Sequence, residues 1–375
     1  MAPKLAYRNL FHDQLSLVVT LVGIVFSLIL VAVQSGLYLG SEQKIATVLD
    51  RTKADLWVIP FGTKSFDDPS LLTGRERFTA MSVPGVADVE EMIVSFASWR
   101  KPEGGKKAFI LVGLDTDRSG TKPWNIVEGS AEDLQAPNSV AVDGSYFKDL
   151  GIDGMGAVAE INQQRVTVGA ITKGIRSFTT LPYVFTPIET ARKLVAAGPD
   201  QATYQLVKLA PGADVEAARE ILKQRLPDTE ILTHAEFRKR SVNYWMFNTA
   251  AGAALIAGAL LGVIVGIVIV AQTLYSSTKD HLNEFATLRA LGASAGYIHA
   301  VILIQAVLSA LIGFILGFTL VMLLINAARN STLNIVMTPE LAGALFLLTL
   351  GMCVVAAISA IFKVTRIDPA GVFSR

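Results

Sequence analysis

Four stretches of the chain are apolar throughout: Leu15 to Leu39, Met246 to Val270, Tyr297 to Ile325 and Leu341 to Phe362, and none contains Asp, Glu, Lys or Arg. A helix needs roughly 20 such residues to cross the hydrocarbon core of a bilayer. Each stretch is therefore expected to span a membrane, one ahead of a long polar segment and three behind it. Between Gly40 and Trp245 the pattern changes to short runs. Asp55 to Ile59, Ala108 to Val112, Arg165 to Ile171 and Tyr204 to Leu209 read as strands, rich in Val, Ile, Leu and aromatic residues. Pro187 to Ala197 and Asp214 to Leu226 carry helical spacing, the second with Val215, Ala218, Ile221, Leu222 and Arg225 on one stripe. Strand, helix, strand and helix follow one another from Tyr204 to Lys239, the order of an α+β module. Lys101-Pro-Glu-Gly-Gly-Lys-Lys107 reads as a hairpin tip.

The fold expected is an α-helical membrane protein with four transmembrane helices (one plus three) and a large α+β periplasmic domain. Residues 1–14 form an amphipathic cytoplasmic segment, 15–39 the first span, 40–245 the periplasmic domain and 246–275 the second span. Residues 276–296 form a cytoplasmic helix and loop, 297–327 the third span, 328–340 a short periplasmic loop, 341–362 the fourth span and 363–375 a cytoplasmic tail.

Composition agrees with the pattern: 51% hydrophobic and 17% charged residues, with a mean hydropathy of +0.46, exceed what a water-soluble globule carries. The first span follows Lys4 and Arg8 as a secretory signal would, but its apolar core is long and no Ala-x-Ala site follows, so it reads as a retained anchor. Basic residues near span ends favour the cytoplasm. Lys4 and Arg8, Lys279 and Arg289, and Lys363, Arg366 and Arg375 put both termini and the loop between the second and third spans on that side. The segment 40–245 then lies outside, and its 25 Lys and Arg nearly balance its 27 Asp and Glu, as in a folded domain. A net charge of +1 argues against a nucleic-acid partner. The one cysteine, Cys353, lies in the fourth span and excludes both an intrachain disulfide and a cysteine metal cluster.

The candidate chemistry is sparse. Ionisable residues inside spans mark ion and proton paths, whereas these spans hold no Asp, Glu, Lys or Arg and a modest polar content that includes Gln34, Gln272, Gln305 and some Ser and Thr. Ala254, Gly258, Gly262 and Gly266 recur every fourth position, a stripe that admits a second helix at close range, either within the chain or across a homodimer. Gly313 and Gly317 form a shorter pair. From Lys279 to Leu291 the residues favour a short amphipathic helix, with Leu282, Phe285 and Ala286 on one face, Gly292 suited to its C-terminal end and Ser294 to the cap of the next helix. Such a helix either lies at the lipid interface or docks a cytoplasmic partner.

Three motif matches fail on context. Gly292-Ala-Ser-Ala-Gly296 has the nucleophile-elbow spacing, but a helix and not a strand is expected before it. Asp115-Thr-Asp117-Arg-Ser119-Gly120 begins like a calcium loop, yet the twelfth position is Ile126 where a bidentate Glu is needed. Gly169-Ala-Ile-Thr-Lys-Gly174 continues with Ile175 and Arg176 in place of the Lys and Ser or Thr of a phosphate-binding loop, and no other such loop is found, so ATP binding by this chain is not expected. His281 and Glu284 share a helix face, too few ligands for structural zinc.

The one-plus-three order, Glu284-Phe-Ala-Thr-Leu-Arg-Ala-Leu-Gly-Ala293, the terminal Arg366-Ile-Asp-Pro-Ala370 and the early Ala6-Tyr-Arg-Asn-Leu10 together resemble the MacB/FtsX-type (type VII) ABC transporter permeases. The stretch from Gln272 to Gly292 is most similar to their DevC-like branch. The resemblance implies a non-enzymatic permease in a bacterial inner membrane, working as a homodimer with two separate ABC ATPase subunits that carry the ATP and Mg. No cofactor is implied on this chain. It implies that Asp280, His281, Glu284, Phe285, Leu288, Arg289 and Gly292 couple to the ATPase, and that motion is relayed to the periplasmic domain. A periplasmic adaptor, an outer-membrane channel and membrane lipid are the further partners implied, with a lipid, glycolipid or amphiphile as cargo. Two other roles occur among such permeases: activation of a periplasmic hydrolase or sensing of envelope stress, and release of lipoproteins. Where many relatives carry an acidic residue in the third span, this chain has Gln305.

Overall fold

The structure is a computed structural model that describes residues 2–115, 121–280, 287, 293–328 and 334–365. The chain forms two compact units, Met1–Gly40 with Ala250–Arg375, and Ser41–Thr249.

The first unit is helical. α1 (Ala2–His12) stops at Asp13, whose carboxylate accepts from Ser16 N (3.2 Å) and so caps α2 (Gln14–Ile45). α8 (Ala250–Asp280), α9 (Ala295–Ala328) and α10 (Pro339–Thr365) follow the second unit in sequence. Four helices, α2, α8, α9 and α10, are long and apolar enough to cross a membrane, giving the one-plus-three order. With 32 residues and a rise of about 1.5 Å per residue, α2 is longer than a bilayer core requires. Its last turn, with Glu42 and Lys44, continues past the expected end at Leu39.

The second unit is α+β. Its strands are β1 (Leu56–Pro60), β2 (Val86–Arg100), β3 (Lys106–Leu114), β4 (Ile126–Gly129), β5 (Ser139–Asp143), β6 (Val158–Ile161), β7 (Gln164–Thr172), β8 (Tyr183–Pro187), β9 (Tyr204–Leu209) and β10 (Thr229–Thr233). Nine of them run in the order β10-β1-β9-β2-β3-β8-β5-β7-β4, and β6 pairs with β2 and β7. The helices are α3 (Arg75–Met81), α4 (Phe147–Leu150), α5 (Ile188–Val195), α6 (Val215–Arg225) and α7 (His234–Phe247).

β2 ties the sheet together. Its first half pairs with β9 and its second half with β3, where the hairpin turns over Lys101–Gly105 with Lys101 N donating to Gly105 O (3.1 Å). Alternation along the strands sends side chains to opposite faces. On one face Trp57, Ile59, Met92, Val94, Tyr204 and Phe237 of α7 share a core, with the Trp57 ring 5.2 Å from Phe237 and 5.7 Å from Tyr204. On the other, Leu56, Val58, Val89 and Ile231 meet Ala80 of α3 and Ala218 and Leu222 of α6. Farther along the same sheet Ile93, Trp99 and Leu111 meet Ile188, Ala191 and Leu194 of α5.

Two sequence expectations need correction here. Met246 and Phe247 end α7 and do not begin the second span. Asn248 N donates the last helical bond, to Tyr244 O (2.9 Å), and leaves the helical backbone, the Thr249 hydroxyl turns back onto Trp245 O (2.6 Å), and α8 starts at Ala250. On α6, Val215 at the start of the stripe and Arg225 at its end are exposed, and only Ala218 and Leu222 between them are buried against the sheet.

Candidate functional site

The structure turns the glycines of α8 toward α2 of the same chain. A Cβ on Gly258 would stand 2.6 Å from Gln34 Nε2, and one on Gly262 would stand 2.9 Å from Val31 Cγ2. One on Gly266 would collide with Ser27 Oγ and Met352 Sδ. The close approach is used: Ser27 Oγ donates to Gly262 O (2.7 Å), an interhelical bond that only a bare backbone at Gly262 exposes. Ala254, the first position of the stripe, is exposed and takes no part in this seam. On the other side of α2, Gly313 and Gly317 of α9 leave 2.6 Å to Ile24 Cγ2 and 2.8 Å to Leu28 Cδ2. Span one thus lies between two glycine faces of the same chain.

A polar clamp holds the second unit's helices at their ends. α7 begins with a capping box: Glu236 N donates to Thr233 Oγ1 (3.2 Å) and Thr233 N to Glu236 Oε2 (2.9 Å). One turn on, Arg238 reaches Glu42 of α2 with Nη1 (3.0 Å) and Asp50 with Nε (2.9 Å). Burial alone would lower the guanidinium, and the two carboxylates overcome it and hold Arg238 above its usual range. Arg240 pairs with Glu230 (2.7 Å) and donates to Thr63 O (3.3 Å), so the loop after β1 is fastened to the same helix.

A second polar knot lies between the α3 and α5 sides of the sheet. Glu91 of β2, 3% exposed, accepts from Arg77 of α3 (2.7 Å) and pairs with Arg192 of α5 (3.0 Å). The neighbouring Glu90 pairs with Lys208 of β9. These are buried, partnered charges in a strand, and they explain why periodicity did not reveal β2. Breaking one partner of such a group leaves an uncompensated charge.

The residues expected to couple to an ATPase stand apart from this. His281, Glu284, Phe285, Leu288, Arg289 and Gly292 lie outside the described residues, as do Arg366 to Ala370. Asp280 is the last residue of α8. Ser294 Oγ accepts from Tyr297 N (3.3 Å) and caps α9. The glycines of the stretch 169–174 lie in and just after β7, with Gly169 pressed against Ser139, which is no phosphate-cradling loop before a helix. Among the described residues no group of His, Cys, Asp and Glu is arranged to hold a metal ion.

Two family models match the chain. The MacB-like periplasmic core domain covers residues 17–225, and the FtsX-like permease C-terminal region covers 256–369. No curated protein matches. Among solved structures, the chain is similar to the periplasmic region of MacB from Actinobacillus actinomycetemcomitans, at 16% identity and a TM-score of 0.38, over 52% of this chain and 97% of that one. It is also similar to the extracellular domain of the noncanonic ABC-type transporter YknZ from Gram-positive bacteria, at 15% identity and a TM-score of 0.36, over 48% of this chain and 99% of that one.

Proposed function

The chain belongs to the MacB/FtsX-type ABC transporter permeases, and from that premise we propose that it is the motion-relaying membrane subunit of an ATP-driven exporter. A homodimer of the chain takes two separate ATPase subunits at the cytoplasmic segment 280–292, with Asp280, His281, Glu284, Phe285, Leu288, Arg289 and Gly292 as the docking residues. ATP and Mg are held by those subunits. The α+β unit stands on the far side of the membrane and moves when they close. A lipid, glycolipid or other amphiphile is the cargo, passed on through a periplasmic adaptor and an outer-membrane channel.

The observation that carries this reading is the build of the spans. Their apolar cores hold no Asp, Glu, Lys or Arg, and glycines of α8 and α9 face α2 at close range. Such a bundle transmits displacement better than it solvates a charged solute.

The test is ATP turnover of the purified permease with its ATPase. Glu284→Lys and Phe285→Asp are expected to abolish stimulated turnover and co-purification while the permease itself still folds. Full assembly and unchanged turnover in both variants contradict the docking assignment.

A further inference from the structure

Asp67 lies in the loop after β1, and that loop is bonded to α7 on one side and to β9 on the other. Phe66 N donates to Ser241 Oγ of α7 (3.0 Å). Tyr204 of β9 donates its hydroxyl to Phe66 O (2.8 Å) and to Asp68 O (3.2 Å). The carboxyl itself faces the Tyr183 hydroxyl of β8 and the Trp245 indole in the last turn of α7. Trp245 is in turn packed against Phe178, ring centroids 5.4 Å apart. Among the described residues Asp67 Oδ1 and Trp245 Nε1 are buried and neither completes a hydrogen bond of good geometry, although the indole is near enough to favour the ionised carboxyl. Leaving such groups unmade is costly, and more so when one carries a charge.

The titratable and charged surroundings are few. Tyr183 from β8 and Tyr204 from β9 face the carboxyl, and Asp68 stands beside Tyr204 on the same loop. Tyr146 stands behind Tyr183, with Arg176, Asp143 and Asp149 near it. Burial holds both Tyr183 and Tyr204 well above the ordinary phenol range, so they remain donors at any physiological pH.

We propose that Asp67 is a proton-operated catch for the last turn of α7. With its proton on, the neutral carboxyl stays buried among Tyr183, Tyr204 and Trp245 and the turn stays seated on the sheet. With the proton released to bulk water, the carboxylate draws in water and the turn loosens. That turn ends at Phe247, directly before the cap at Asn248 and the start of α8 at Ala250, so the catch sits where the α+β unit hands over to the second span.

The sign follows from the direction of the shift. Burial raises the Asp67 carboxyl from 3.8 to about 6, against the lowering effect of Tyr183 and Trp245. A raised acid binds its proton more tightly in the folded chain, so the seated form is favoured in acid, and that advantage is lost as the pH rises through about 6. The catch belongs to this chain alone and does not depend on an ATPase.

The experiment uses the full-length protein in lipid nanodiscs without any partner. The emission difference between the wild type and Trp245→Phe isolates Trp245. Scanned between about pH 5 and 8, it is expected to titrate with a midpoint near 6 and to become flat in Asp67→Asn, the shape of the neutral acid without its proton. Tyr183→Phe removes a donor that favours the ionised form and is expected to move the midpoint upward. A Trp245 signal that does not titrate, or that titrates unchanged in Asp67→Asn, overturns the proposal. Should Asp67→Asn fail to fold, a midpoint unmoved in Tyr183→Phe overturns it equally.

Discussion

At the scale of single residues, the membrane unit depends on atoms that are missing. Gly262 and Gly266 are buried against α2, and Gly266 has Ser27 and Met352 on both sides. A side chain there cannot be absorbed by one flexible neighbour, because the backbone of α8 itself is in contact through Ser27 and Gly262 O. Gly266→Leu is expected to force the first two spans apart at a cost of about 1–3 kcal/mol, the usual range for overpacking. Thermal unfolding of the detergent-purified protein measures it. Ala254→Leu is the control, since Ala254 is exposed, and its midpoint is expected to stay within error of wild type. The stripe was legible in the sequence as a face, because small residues at every fourth position have one meaning in a span. Its partner was not, since spacing names a surface and never what covers it. The first member, Ala254, shows the same limit: it fits the spacing and yet is exposed.

At the scale of elements, β9 and α6 stood out because apolar and polar positions alternated or recurred at helical spacing. β2 did not, although it is the longest strand and joins both halves of the sheet. Glu90 and Glu91 interrupt its apolar run, and only their partners Lys208, Arg77 and Arg192 make those positions interior ones. Such partners are distant in sequence, so no local window finds them. The clamp at Arg238 belongs to the same class, with partners in α2 and in the turn after it. Arg238→Ala removes two ion pairs that are only partly buried, each worth up to about 1 kcal/mol. The expected outcome is a modest loss of stability that shrinks as salt is raised, read as faster hydrogen exchange over the first turns of α7. Exchange identical to wild type at low salt contradicts a clamping role.

At the scale of the whole molecule, the order of elements was the most legible feature. One apolar stretch, an α+β segment and three more apolar stretches follow from hydropathy and need no packing information. Helix ends were less so: α7 ends at the Asn248 cap, where the Thr249 hydroxyl turns back onto Trp245 O, and hydropathy does not register such local geometry. In the proposed relay the glycine-packed spans are the rods, and the clamp and the Asp67 loop hold α7, the helix that precedes the second of them. For this to be a relay, the segment around Glu284 and the α+β unit must lie on opposite sides of the bilayer. The direct measurement is labelling of single cysteines by a membrane-impermeant maleimide, in a Cys353→Ser background. Glu103→Cys in the exposed hairpin turn is expected to react in intact spheroplasts, and Glu284→Cys only after lysis. Labelling of both from the same side contradicts the account.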